Sequence, residues 1–343
     1  EYIASASRLF QVLIVPIEEH LKEKVIVATD GVLHFLPFEA LLTHEVSTNT
    51  AYTELPYWIN EKLISYQSSA QQMERLLIQE LPVFPKDIAA FAPTYRVDKS
   101  SILTNYESYP SYRYHFAPLK YNQQEAKEVG ALFPNSSNIF TGASASRNQF
   151  LAAAQDHSVL HIAAHGKTYR QKGDYSFIAF STDTTSTALE NMLFADDIYN
   201  SRLNNQMVVL SACETGIGEL KTGAGVVSLS KALAFAGVRS QVSTLWKIED
   251  QSTGAFMPLF YQHLKAGEQK HAALRAAKQA FIKDPKRAAP FYWAGYVISG
   301  DTRPLVQEAS PYKWLWFIGI PALLLFGFFL LKKTPVSQSR EQE

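Results

Sequence analysis

The chain has 343 residues, 47% hydrophobic and 19% charged, a globular composition with an apolar surplus that suits one large α/β domain or two smaller ones. Its 32 basic and 32 acidic side chains cancel, so no basic stripe offers the electrostatic footprint that binding nucleic acid needs. A single cysteine excludes an internal disulfide and a cysteine-rich zinc site.

In chain order, residues 24–42 (KVIVATDGVLHFLPFEALL) predict a strand, a turn at Asp30-Gly31, a second short strand and then a helix, because Asp-Gly between apolar runs signals a hairpin. Residues 62–67 and 88–93 are further strand-like runs. Residues 94–118 turn polar and aromatic, with Pro110 inside, and read as a long loop or crossing. A strand–helix rhythm follows. Residues 121–133 carry Ala126, Val129, Leu132 and Phe133 at helical spacing. Residues 138–142 are a short strand, and 146–155 a helix opened by Ser146. The runs at 159–164, 177–181, 207–211 and 240–246 read as strands. Those at 223–238, 252–267 and 269–284 read as helices. Alternation of this kind predicts a mostly parallel sheet covered on both faces, an α/β/α sandwich.

Two of these strands end in small, reactive clusters. VLHIAAHG (159–166) delivers His165 and Gly166, and MVVLSACETG (207–216) delivers Cys213. Forty-eight positions separate the pair, close to the ~50-residue His-to-Cys interval of caspases. Reactive groups gather beyond the carboxyl ends of strands in open α/β sheets, so neighbouring strands would let thiol and imidazole face one another. His165 would then generate the thiolate and protonate the leaving amine. The amides of Gly166 and Cys213 would form the oxyanion hole. The bland reading makes Cys213 a small buried hydrophobe and His165 a hydrogen-bonded core residue. Joint placement at strand ends weighs against it.

Other constellations carry less. His161 and His165 lie about 13 Å apart along a strand, with no third ligand, so no metal site is expected. Gly218 and Gly223 have P-loop spacing, but Ala224 stands where the lysine belongs, and Lys221 spoils a G-x-G-x-x-G pattern. No cofactor follows. Asp197 and Asp250 are acids able to orient His165 or line a pocket for a basic side chain. For Asp250 a helix N-cap is favoured over those roles; for Asp197 the readings stand level.

From Trp314 to Leu331, 18 uncharged residues would span about 27 Å as a helix, close to the ~30 Å hydrocarbon core. Trp314 and Trp316 mark one end, Lys332 and Lys333 the other, and Pro321 is tolerated in a membrane helix. A single-pass protein of the bacterial inner-membrane kind is expected. Lys332, Lys333 and Arg340 lean toward a cytoplasmic tail and an extracytoplasmic domain. The start at Glu1 suggests the carboxyl-terminal portion of a longer chain.

Over roughly residues 1–300 the chain resembles the CHAT domain family, caspase-like (clan CD) cysteine peptidases related to separase. The resemblance rests on DGVLHFLPFEALL (30–42), VLHIAAHG, VVLSACETG, GVVSLSKALAFAGVRSQVSTLWKIED (225–250) and FYWAGYVISGD (291–301). It implies a caspase-like α/β/α sandwich in two subdomains, a His165–Cys213 dyad, and upstream tetratricopeptide repeats. The expected organisation is a non-catalytic half (1–119), a catalytic half (120–305), a linker (306–313), a membrane helix (314–331) and a basic tail (332–343). The expected function is a membrane-anchored cysteine endopeptidase cleaving a protein or peptide substrate. Its alternatives are a non-enzymatic membrane-tethered scaffold and a small-molecule acyltransferase or amidase using the same dyad.

Overall fold

The computed structural model describes residues 1–95, 116–167, 176–181, 190–211, 219–221, 225–227 (backbone alone in the last two) and 229–305. Cys213 and the apolar run 314–331 lie outside the described residues. Among the described residues no helix is long and apolar enough to cross a membrane.

The chain opens with helix α1 (Tyr2–Leu13), strand β1 (Lys24–Val27), strand β2 (Leu63–Tyr66) and helix α2 (Ala70–Ile78). Strand β3 (Lys86–Ala92), helix α3 (Asn122–Ala131), strand β4 (Ser137–Thr141) and helix α4 (Arg147–Asp156) come next. β5 (His157–Ile162), β6 (His165–Lys167), β7 (Phe177–Ala179) and β8 (Met192–Phe194) precede helix α5 (Ala195–Tyr199) and β9 (Met207–Leu210). β10 (Glu219–Lys221) and β11 (Gly225–Val227) pair antiparallel ahead of helix α6 (Leu229–Phe235). The chain continues through β12 (Ser240–Thr244), α7 (Asp250–Lys265), α8 (Lys270–Lys283) and β13 (Tyr296–Gly300).

Eight strands form one sheet in the order β1-β2-β13-β12-β9-β5-β3-β4. Its pairings are parallel except β12 with β13. Every residue of β5 and β9 is buried, as expected where helices cover both faces and the strand reads as a continuous apolar run. On one face Val242, Tyr296 and Ile298 pack with Phe256, Phe260 and Phe281 of α7 and α8. On the other, Leu160, Ile162, Val208 and Leu210 pack against α4, α5 and α6. Residues from either side of position 119 share this one sheet, β3 lying between β4 and β5. A buried ion pair, Lys278 Nζ to Glu39 Oε1 at 2.8 Å, ties α8 to the segment after β1. Residues Glu1–Leu305 form one compact unit.

Two expectations need correction. No hairpin follows Asp30-Gly31. The backbone after Gly31 (φ +59°) closes into 3-10 turns at Gly31–Phe35 and Phe38–Ala40, replacing the second strand and the helix. Asp30 Oδ1 accepts the Gly31 amide at 2.8 Å, and β1 takes its neighbour from β2, in parallel, rather than from a hairpin return. Among its described residues, the run 223–238 is strand β11 at Gly225–Val227 and helical over Leu229–Phe235. The end of β13 demands a glycine, since Gly300 has φ +94° and a Cβ there would collide with the Arg239 carbonyl.

Candidate functional site

β5 and β9 are neighbours, with Ile162 opposite Leu210. His165 lies three residues past Ile162 in the sequence, and Cys213 lies three past Leu210. The expectation that the two clusters follow adjacent strands is met on the described side, where β9 ends at Leu210 and Ser211 is the last described residue before Cys213.

His165 leads β6 and is half-buried. Its amide donates to the Tyr95 hydroxyl at 2.9 Å, and that hydroxyl donates to the Ala179 carbonyl of β7 at 2.8 Å. Tyr95 thus stands between His165 and its β7 partner at the end of the ladder. Antiparallel alternation then directs the next amide, that of Gly166, away from β7. The imidazole lies against two rings, Phe116 (stacked, centroids 5.3 Å) and Tyr95 (4.8 Å). Those rings belong to a small apolar cluster with Phe177, Ala179, Met192 and Phe194.

The tautomer follows from one contact. Nε2 of His165 lies 2.7 Å from the Ala117 carbonyl oxygen, which can only accept, so Nε2 carries the proton. Nδ1 is left as the basic nitrogen. Burial lowers the His165 pKa below its usual 6.5; the Ala117 bond opposes this, Lys247 adds to it and Asp250 opposes it. The ring is held neutral and ready to accept a proton.

Asp250 explains how Ala117 is held. It is the first residue of α7, where Glu249 takes the N-cap position, so the N-cap expected of Asp250 is corrected. Its Oδ2 instead accepts the amides of Lys120 at 2.7 Å and Tyr121 at 2.8 Å. The strip 116–121 is therefore fixed at both ends, by Phe116 and Ala117 against His165 and by two amides on Asp250. Just beyond it, Asn122 donates to the carbonyls of Pro93 (2.9 Å) and Ala163 (3.1 Å), joining the carboxyl ends of β3 and β5.

Asp197 is engaged elsewhere. It accepts the Phe194 amide at 3.0 Å at the start of α5 and pairs with Arg147 at 3.1 Å. His161 is wholly buried: Tyr261 Oη is 3.2 Å from Nδ1, and Glu125 Oε1 is 3.0 Å from Nε2 at an angle outside hydrogen-bond geometry. No group of three or more metal-ligating side chains occurs among the described residues. Sequence reasoning missed Tyr95, Phe116, Ala117 and Asn122. Only the aromatic density of 94–118 hinted at such a strip.

A family model described as "CHAT domain" matches residues 4–301. Among curated proteins, tetratricopeptide repeat protein 28 of Mus musculus is 29% identical over 121 residues, and its Homo sapiens counterpart 27%. Each match covers 35% of this chain but only 5% of the relative, so the chain accounts for a small part of those proteins. Among solved structures, gingipain R, an Arg-specific cysteine proteinase, superposes over 89% of this chain and 68% of its own, at 10% identity and a TM-score of 0.53. The Saccharomyces cerevisiae separase–securin complex aligns over 78% of this chain and 15% of its own, at 12% identity and a TM-score of 0.48.

Proposed function

The chain belongs to the CHAT domain family, and from that premise we propose that it is a caspase-like cysteine endopeptidase acting on a protein or peptide substrate. The observation that carries this reading is the β5–β9 pairing, with His165 and Cys213 each three residues past an opposed pair. Nδ1 of His165 takes the proton of the Cys213 thiol, and the thiolate attacks the scissile carbonyl carbon. The oxyanion is received by the amides of Gly166 and Cys213. His165 then gives its proton to the leaving amine, and water, losing a proton to Nδ1, releases the acid and restores the thiol. Asp250 is a positioning residue here: through Lys120 and Tyr121 it holds the strip whose Ala117 carbonyl fixes the tautomer.

The run 314–331 anchors this domain in a membrane as a single pass, with the catalytic part extracytoplasmic. The partial likeness to a tetratricopeptide repeat protein supports an upstream repeat region as regulator. Activity-based labelling with peptidyl acyloxymethyl ketones that differ at the first residue tests the nucleophile. Labelling of the wild type that disappears in Cys213→Ala and in His165→Ala is expected. A Cys213 that no member of the panel labels would overturn the reading in favour of a tethered scaffold.

A further inference from the structure

Among the described residues, α3, α7 and α8 cover one face of the sheet, and α4, α5 and α6 pack over β3, β5 and β9 on the other. Beyond α6, the floor made by Gln241 and Ser243 of β12 and Val297 and Ser299 of β13 faces a trough of about 1720 Å³, walled by α6 on one side and α2 on the other. The register puts Gln241 opposite Ser299 and Ser243 opposite Val297, while Val242 and Ile298 turn to the apolar core behind. A polar floor thus backs directly onto a hydrophobic face.

Two features of the trough call for an occupant. Arg202 after α5 and Arg75 in α2 are exposed at the two walls and pair with no carboxylate among the described residues. Phe235 of α6, which also lines the trough, is 75% exposed and, among the described residues, meets other rings only in an edge contact with Tyr199.

We propose that this trough seats an acidic α-helix presented by a separate partner protein. A sheet face has no free backbone groups, so an extended strand gains no ladder there. A helix continues the layer that α6 leaves incomplete. At about 1720 Å³ the trough has volume for several turns of a helix ~10 Å across. Carboxylates on the two flanks of that helix meet Arg75 and Arg202, and an apolar side chain covers Phe235. Asp30 and Glu80, the carboxylates of the lining, set where acidic residues are not tolerated. Because α2 and α6 come from opposite halves of the chain, the bound helix bridges both. None of this depends on the peptidase reading.

The test uses three fluorescein-labelled 16-residue peptides: a helical one with Glu on both flanks of a Leu/Ala seam, its Lys counterpart, and a Pro-interrupted peptide with the same Glu content. Anisotropy is measured against the full chain, Arg75→Glu, Arg202→Glu and the double variant; both positions are exposed, and thermal unfolding checks that each variant folds. The helical Glu peptide is expected to bind, to weaken about tenfold with each reversal, and to weaken with added salt. The Lys and Pro-interrupted peptides are expected not to bind. Equal binding by the Pro-interrupted peptide would remove the helix, undiminished binding to the double variant would remove the trough, and absence of binding by the Glu peptide would remove the proposal.

Discussion

His161 and His165 lie four residues apart on one run of chain and have opposite surroundings. Both ring nitrogens of His161 face polar groups of the core, Tyr261 Oη at 3.2 Å and Glu125 Oε1 at 3.0 Å, and the side chain has no exposure. His165, past the end of β5, commits Nε2 to Ala117 and has no described partner at Nδ1. The contrast shows what separates the two imidazoles: not presence on the strand but one nitrogen held and one without a described partner at the strand's end.

Substitution is the sharpest way to break this contrast. His165→Ala is expected to lower the rate of Cys213 labelling by about 10³-fold or more, with little change in denaturation midpoint. His161→Ala should do the reverse. It leaves Glu125 buried without its neighbour, so urea denaturation should register a loss of about 3–5 kcal/mol. If His161→Ala folded normally but lost labelling while His165→Ala labelled normally, the two roles would have to be exchanged.

Much of this was legible in the sequence, and the rest was hidden for physical reasons. β5, β9, α3, α4, α7 and α8 announce themselves because their apolar periodicity matches the face they bury. The Asp30-Gly31 hairpin failed because turn chemistry fixes the local reversal but not the strand's partner, and β1 pairs with β2, far along the chain. Of the site, His165 could be read because it follows a buried run, whereas Cys213 lies outside the described residues. Ala117 could not be read, since it acts through a backbone carbonyl that every residue possesses. Asp250 was visible as an acid at a helix start, yet its partners, Lys120 and Tyr121, lie 130 and 129 positions away.

That long-range clamp gives the next prediction. Asp250→Ala frees two amides and loosens the strip that holds Ala117 against His165, and misplacement of a catalytic group by about 1 Å costs up to about 10²-fold. Labelling should fall by that order, with partial recovery in Asp250→Asn, whose carboxamide oxygen still accepts. NMR of labelled histidine supplies the distinguishing readout, because a loosened Ala117 bond should mix the two His165 tautomers. An Asp250→Ala protein with a single unchanged tautomer and full labelling would return Asp250 to a purely structural role.

The smallest effect concerns pH. Burial lowers the His165 pKa, so its neutral, proton-accepting form persists below 6.5, and labelling should hold its rate through pH 6.5 before falling. A histidine whose folded pKa lies below its unfolded value binds its proton more readily in the unfolded chain. The stability it contributes therefore declines as pH drops below 6.5. Phe116→Ala removes the stacked ring and admits water, so the midpoint should rise toward 6.5, a shift of a fraction of a pH unit. A midpoint already at 6.5 in the wild type, or one that Phe116→Ala moves downward, would mean that the aromatic cage does not set the basicity of His165.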